Sequence, residues 1–283
     1  MRSGIMLCMP FEAKRLEKWR APYILQPKLD GDRCRAIIDI NGVCTLLSSE
    51  ENAITSVPHI NAALENLHLR NVEFDGELYV HGTPHPTIHS IVGRTSNIHS
   101  DFEAMQYHIF DMVTREMQGT RLVELFKNEV LFRDPLHLVP YATVDDLNDI
   151  MEASDQLLKE GYEGFVVRDA FGYYVRKRST QLMKFKPRKE DYYTVVGYAE
   201  EIDKNGRPKG TLGALVCASD ISNTTFNVGS GSLLTRDMRQ ELWNRRETLI
   251  GQTAQVKYQH ISPVGHVPRF PVIVGLIDPM FTP

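Results

Sequence analysis

The stretch Lys28-Leu29-Asp30-Gly31-Asp32-Arg33 has the residue types of a loop that attacks phosphorus. A lysine is a nucleophile only as the free amine, and an ordinary pKa near ~10.4 leaves little of it at neutral pH. Neighbouring cations or desolvation free the amine. In an extended segment Lys28 and Asp30 share a face. Gly31 lets the chain turn tightly against a ligand, and Arg33 returns a guanidinium to the site. A surface hairpin of mixed charge has the same composition, so these residues decide nothing without the segments that follow.

Those segments supply what the chemistry needs. In Val72–Val80 a period of two puts Glu73, Asp75, Glu77 and Tyr79 on one face, opposite Val72, Phe74, Leu78 and Val80. Three carboxylates on one face repel unless cations or hydroxyl donors meet them, and a ribose or a divalent metal would serve. Tyr107–Val113 offers an aromatic side chain where a purine could stack. Glu163, between Gly161 and Gly164 and ahead of an apolar strand, suits Mg2+, which favours one or two carboxylates plus substrate phosphates. In Leu182–Pro187, Lys184 and Lys186 share a strand face while Met183 and Phe185 point to the core. An anion between the two lysines relieves their repulsion, and a triphosphate would serve. Arg178 adds a phosphate contact. Taken singly, each segment has a plainer reading: an acidic edge strand, a core aromatic, a turn acid, a solvated basic face.

The elements that must position these residues alternate along the first two thirds of the chain. Phe11–Trp19 reads as a helix, and Pro22 and Pro27 punctuate the entry to a strand near Lys28. Cys34–Ile40 is rich in strand formers, and Asn41-Gly42 signals a hairpin into Val43–Leu47. Asn61–Leu67 and Val144–Lys159 show helical spacing, and Gly164–Arg168 reads as a strand. After residue 189 the texture changes to short strands with glycine-rich turns, at Tyr193–Tyr198, Ala214–Ala218, Thr225–Val228 and Thr253–Tyr258, plus one helix at Arg236–Thr248. That pattern suits a small oligonucleotide-binding barrel, an OB-fold. The expected division is 1–189 and 190–283.

Composition excludes several classes. The 283 residues are 42% hydrophobic and 24% charged, ordinary for a globular protein, and no apolar run reaches membrane-spanning length. Cys8, Cys34, Cys44 and Cys217 show no metal spacing, and unpatterned thiols fit a reducing cytoplasm. A net charge of −4 argues against a protein that simply coats DNA. Yet Arg176–Lys189 holds seven Lys or Arg and no Asp or Glu, so basic charge is concentrated where the paired lysines lie.

Five segments in this order resemble the ATP-dependent DNA ligases, in the superfamily that also holds RNA ligases and mRNA capping enzymes. The match covers nearly the whole chain, and its compactness is similar to the small bacteriophage-type ligases. Val92-Gly93-Arg94 resembles a basic step after the acidic strand, and Gly265–Pro271 an Arg-x-Pro turn near the C-terminus. The resemblance implies an α+β, two-domain fold: an adenylation domain of ATP-grasp-like antiparallel sheets with helices, then an OB-fold closing over DNA. It implies that Lys28 takes AMP from ATP, passes it to the 5′-phosphate of a nick, and leaves the 3′-hydroxyl to displace it. Arg33 and Glu77 would hold the ribose, Phe110 would stack on adenine, and Gln26 would sit beside it. Glu163 would position Mg2+ or Mn2+, with Glu77 the weaker candidate. Lys184, Lys186 and Arg178 would meet the phosphates. Nicked duplex DNA is the implied partner, with no membrane, a monomer the implied state, and the cytoplasm (a host's, if viral) the implied compartment.

Three positions depart from the family pattern. Gln26 stands for a glutamate, Ser49 for an arginine, and Val272–Pro279 lacks the usual closing basic residues. Arg35 and Arg269 are the candidates to compensate. An mRNA guanylyltransferase, an RNA ligase and a degenerate DNA-binding relative are the alternative readings.

Overall fold

The computed structural model describes residues 4–186, 189–203, 205–219, 224–258, 260–261 and 266–277. Arg188 of the basic stripe, Gly265 of the Arg-x-Pro turn and residues 278–279 of the C-terminal segment lie outside the described residues. The chain divides into two compact units, residues 1–150 with 161–184, and residues 151–160 with 185–283.

The first unit is built on two five-stranded sheets. One orders the strands Leu7–Pro10, Arg178–Phe185, Phe165–Asp169, Tyr23–Pro27 and Ala142–Val144. The other orders Cys44–Ser48, Asp32–Ile38, Val72–Tyr79, Gln106–Met112 and Leu136–Leu138. Asn41-Gly42 closes the expected hairpin, with Gly42 at φ 88° and the Asp39 carboxylate accepting from the amides of Asn41 and Val43 at 2.8 and 2.9 Å. The acidic strand, Val72–Tyr79, lies between Asp32–Ile38 and Gln106–Met112, with Arg33 opposite Glu77 and Arg35 opposite Asp75. Its pairing with Gln106–Met112 shifts between Asp75 and Gly76, where a side chain on Gly76 would place Cβ 2.5 Å from the His108 carbonyl. A Cβ on Gly31 would lie 2.2 Å from the Leu78 carbonyl. Gly31 is therefore required by the close approach of the acidic strand, and not only by a ligand.

Apolar side chains behind this sheet form the core. Ile38, Leu46, Phe74, Leu78 and Tyr107 pack with Ile60 and Leu64 of the helix Pro58–Glu65. The expected helix over Phe11–Trp19 is reduced to Ala13–Leu16, which has no side-chain cap at Glu12. So short a turn gains too few hydrogen bonds to propagate. Two helices the spacing did not announce are His85–Val92, begun behind Pro84, and Gln118–Lys127.

The second unit holds an antiparallel sheet ordered Thr225–Val228, Pro208–Ala218, Lys189–Ile202, Thr253–Tyr258 and Val272–Ile277. Its two central long strands exceed the short segments expected, and their register shifts at three points, which lets long strands bend. The sheet's two edges meet at one bridge, Ser230 with Val272, where the Ile273 amide donates to the Ser230 carbonyl at 2.7 Å. Gly231 makes this approach at φ 140°, since a Cβ there would lie 2.1 Å from the Ile273 carbonyl. The sheet thus curls as an OB-fold does, joined by a bridge and not a continuous ladder. Thr235 caps the helix Arg236–Asn244 by accepting from the Met238 amide at 3.2 Å, and the expected continuation to Thr248 becomes a separate 3-10 turn, Arg246–Leu249. Among the described residues no helix is long and apolar enough to cross a membrane.

Candidate functional site

The first unit contains a cavity of about 370 Å3, lined from both of its sheets. That is within the size range of small-molecule sites. Six of the expected residues reach it: Gln26, Lys28, Arg33, Glu77, Phe110 and Lys184.

Strand register positions Lys28. Tyr23–Pro27 runs antiparallel to Phe165–Asp169 with Pro27 opposite Phe165. The ladder continues past both ends, the Lys28 amide donating to the Gly164 carbonyl at 2.9 Å and the Glu163 amide to the Lys28 carbonyl at 3.3 Å. Glu163 is thereby brought across from Lys28, and its carboxylate forms an ion pair with the ammonium. Gly161 at φ 88° and Gly164 at φ 154° permit the turn that holds Glu163 there. Asp30, by contrast, is exposed and lies outside the cavity lining.

The acidic strand meets its own repulsion largely with protein cations. Arg33 holds Asp75 through two hydrogen bonds of 2.7 and 2.6 Å, and the Tyr174 hydroxyl donates to the same carboxylate at 2.6 Å. Arg35 donates to Glu73 at 2.8 Å and pairs with Glu51, so it is committed away from the position of Ser49, which does line the cavity. Glu77 differs. Burial pushes its carboxyl up to about 8, with Arg33 and Lys28 pulling it back through space and no hydrogen bond contributing. A carboxyl in that state is a hydrogen-bond donor at neutral pH.

Phe110 and Gln26 are held by neighbouring guanidinium groups. The guanidinium carbons of Arg33 and Arg168 lie 4.5 and 5.2 Å from the Phe110 ring centroid. Gln26, 1% exposed, donates to the Phe110 carbonyl at 3.2 Å and accepts from Arg168 Nε at 2.7 Å. Arg168 continues to Asp111 at 3.3 Å, and Asp111 accepts from Arg121 at 2.8 and 3.0 Å. Sequence reasoning missed Arg168 as a lining residue; the signal was a guanidinium ending the apolar run Phe165-Val166-Val167, which must have buried partners.

The remaining expected residues fall elsewhere. Lys184 reaches the cavity from a strand whose Met183 and Phe185 are fully buried, as the alternation requires. Lys186 follows the last residue of that strand, belongs to the second unit and is not part of the lining. Arg178 is exposed, donates to the Cys8 carbonyl and also lies outside the lining. Arg94 is exposed and bonded to the Ser90 carbonyl at 3.2 Å. Asp32, His85 and His89 line the cavity unanticipated, although two histidines four residues apart were visible in the chain.

Such a wall can present an amine to an electrophile, pair a lysine with an anion and offer an aromatic face to a flat ring. The chain as a whole is similar to known proteins. Residues 5–186 match the ATP dependent DNA ligase domain, and residues 205–276 a DNA ligase OB-like domain. A DNA ligase of African swine fever virus (strain Badajoz 1971 Vero-adapted) is 27% identical over 276 residues, covering 91% of this chain and 64% of that protein. A DNA ligase of Haemophilus influenzae is 28% identical over 203 residues, covering 69% and 68%. The chain therefore spans less than two thirds of the length of the viral relatives it matches. Among solved structures, the ATP-dependent DNA ligase from bacteriophage T7 in complex with ATP superposes with a TM-score of 0.65 at 17% identity, covering 96% of this chain and 98% of that one. The Chlorella virus DNA ligase-adenylate gives 0.58 at 21%, covering 98% of each. These likenesses establish the fold, and the domain match over residues 5–186 establishes more: the chain belongs to the ATP-dependent DNA ligase domain family.

Proposed function

We propose that this chain is an ATP-dependent DNA ligase that seals 5′-phosphate/3′-hydroxyl nicks in duplex DNA, as a cytoplasmic monomer serving replication, repair or recombination. The observation that carries the reading is Lys28, held beside Glu163 on a cavity wall that also presents Glu77, Phe110 and Lys184. Residues 1–189 form the adenylation domain and 190–283 the OB-fold domain that contacts DNA. Lys28, as the amine, attacks the α-phosphorus of ATP; a P–N bond forms as the P–O bond to pyrophosphate breaks, and the amine proton passes to solvent. The AMP passes to the 5′-phosphate, and the 3′-hydroxyl displaces it as the phosphodiester forms. Glu77 and Arg33 hold the ribose, Phe110 stacks on adenine, and Gln26 buttresses that ring. Lys184 meets charge building on the phosphate, the largest contribution a protein makes to phosphoryl transfer. Lys186 and Arg178 act on the phosphates from outside the cavity wall.

A hard divalent cation fits Glu163, whose carboxylate already serves a cation in Lys28. Mg2+ or Mn2+ held there supplies charge neutralisation to the phosphates. Glu77 is the poorer ligand, because burial raises its carboxyl and ionising it to meet a cation therefore costs more. Both matched domains are those of DNA ligases, which favours this reading over guanylyltransferase or RNA ligase. The test is label transfer from α-labelled ATP against GTP, then sealing of nicked DNA against nicked RNA. Labelling by ATP and sealing of DNA are expected; labelling by GTP alone overturns the reading.

A further inference from the structure

One cluster on the cavity wall has no part in the chemistry above. Asp32 begins the strand that follows the Lys28 loop, and His85 and His89 lie one turn apart on the helix His85–Val92. The stripe of that helix beside the two histidines buries Ile88, Ile91 and Val92, and both imidazoles reach the cavity lining. His85 Nε2 lies 3.3 Å from one Asp32 oxygen and His89 Nδ1 2.8 Å from the other. The rings stack, with centroids 5.8 Å apart and planes at 17°. One donor atom from each of the three residues lies within 4.8 Å of the others.

We propose that Asp32, His85 and His89 bind a borderline divalent cation, of the zinc or cobalt(II) class. Ligands on a tetrahedral zinc at its usual bond lengths lie about 3.4 Å apart, close to the His85–Asp32 separation. Histidines at i and i+4 present their nitrogens to one point off a helix face. Two imidazoles and a carboxylate select these metals over Mg2+, which takes oxygen ligands, so the site is chemically distinct from Glu163. Three protein donors leave coordination positions open, and because the residues line the cavity, those positions face whatever anion enters it. A phosphate oxygen is the natural fourth ligand, a step that rests on the ligase reading; the metal site itself does not.

The site is tested with tag-free protein titrated with Co2+, followed by visible absorption, and with Zn2+, followed by calorimetry, in the absence of nucleotide. One equivalent should bind with d–d bands of nitrogen and oxygen ligation. The double substitution of His85→Ala with His89→Ala should abolish it, and Asp32→Asn should weaken it at least about tenfold. Glu163→Gln should retain it, since that carboxylate is not in the set. All three donors are at least a fifth exposed, so these variants are expected to keep the wild-type melting transition. Zinc-edge X-ray absorption on the unaltered protein supplies a count of two imidazoles without any substitution. Binding weaker than millimolar, binding unchanged in the double variant, fewer than two imidazoles, or a thiolate charge-transfer band from Cys8 on the same wall would overturn the proposal. Loss of ligase activity alone, with metal binding intact, would count against the functional reading and leave this site standing.

Discussion

Two regions of the first unit use the same residue types to opposite ends. In the buried frame behind the cavity, Asp111 is 0% exposed and accepts from both Arg121 and Arg168, while Asp75 is closed by Arg33 and Tyr174. On the cavity wall, Glu77 lies two residues from Asp75 on the same strand, yet cations reach it only through space and its carboxyl rises to about 8. The frame satisfies its charges with protein partners and so contributes rigidity. The wall keeps polar capacity in reserve and so contributes binding. A carboxylate's role here follows from who meets it, not from its place in the alternation.

Substitutions should separate the two regions. The largest effect is expected at Lys28: Lys28→Ala should eliminate label transfer from ATP while the protein still unfolds in one cooperative transition in urea. Retained labelling in that variant would break the covalent reading of the wall. Arg121→Ala should do the converse, costing about 3–5 kcal/mol of stability because it leaves the Asp111 carboxylate underpaired in a dry interior. A stable Arg121→Ala protein would show that the frame is not what holds Phe110 and Gln26 in place. Lys184→Ala should lower the adenylation rate by ~10²-fold with the fold intact, the scale of losing one charge-stabilising donor. Equal rates would reduce Lys184 to a solvated lysine.

The smallest effects are in pH dependence. Between an unfolded value near ~4.3 and a folded value of about 8, folded Glu77 carries a proton that the unfolded chain lacks. Stability therefore falls as pH rises through that window, by up to about 1.4 kcal/mol per unit. Melting curves measured without added metal should show this slope, and Glu77→Gln should flatten it. His108 acts in the other sense. Burial, with His137 and His81 nearby, lowers it to about 4, so its contribution is full above the unfolded value near ~6.5 and is lost as pH falls through 4. His108→Gln should remove that acid-side loss. A pH profile identical in both variants would mean that neither group is buried as its surroundings indicate.

Much of the cavity lining was legible because the proposed chemistry calls for particular residues in order. Lys28, Glu77, Phe110 and Lys184 were each identifiable, and the structure brings all four to one cavity. Arg178 and Lys186 were chosen by charge and alternation, and neither lines it: the strand ends at Phe185, so the alternation that paired Lys186 with Lys184 has no backbone to carry it. Arg168 escaped because a charge at the end of an apolar strand announces a partner without naming it. Asp32 and the His85/His89 pair escaped because more than fifty residues separate Asp32 from the two histidines and they converge only in the fold.

Local order along the chain determined the hairpin at Asn41-Gly42, the alternating faces of Val72–Tyr79, the glycine-flanked Glu163 and the change of texture after residue 189. These depend on backbone preference and side-chain period, which neighbours in sequence control. Strand register alone set Lys28 against Glu163, and packing of the two sheets made one cavity from segments distant in sequence. Which carboxylate is tied to an arginine and which is left to face the cavity was likewise decided in three dimensions. Pairing and desolvation depend on what surrounds a group in space, and no spacing along the chain encodes that.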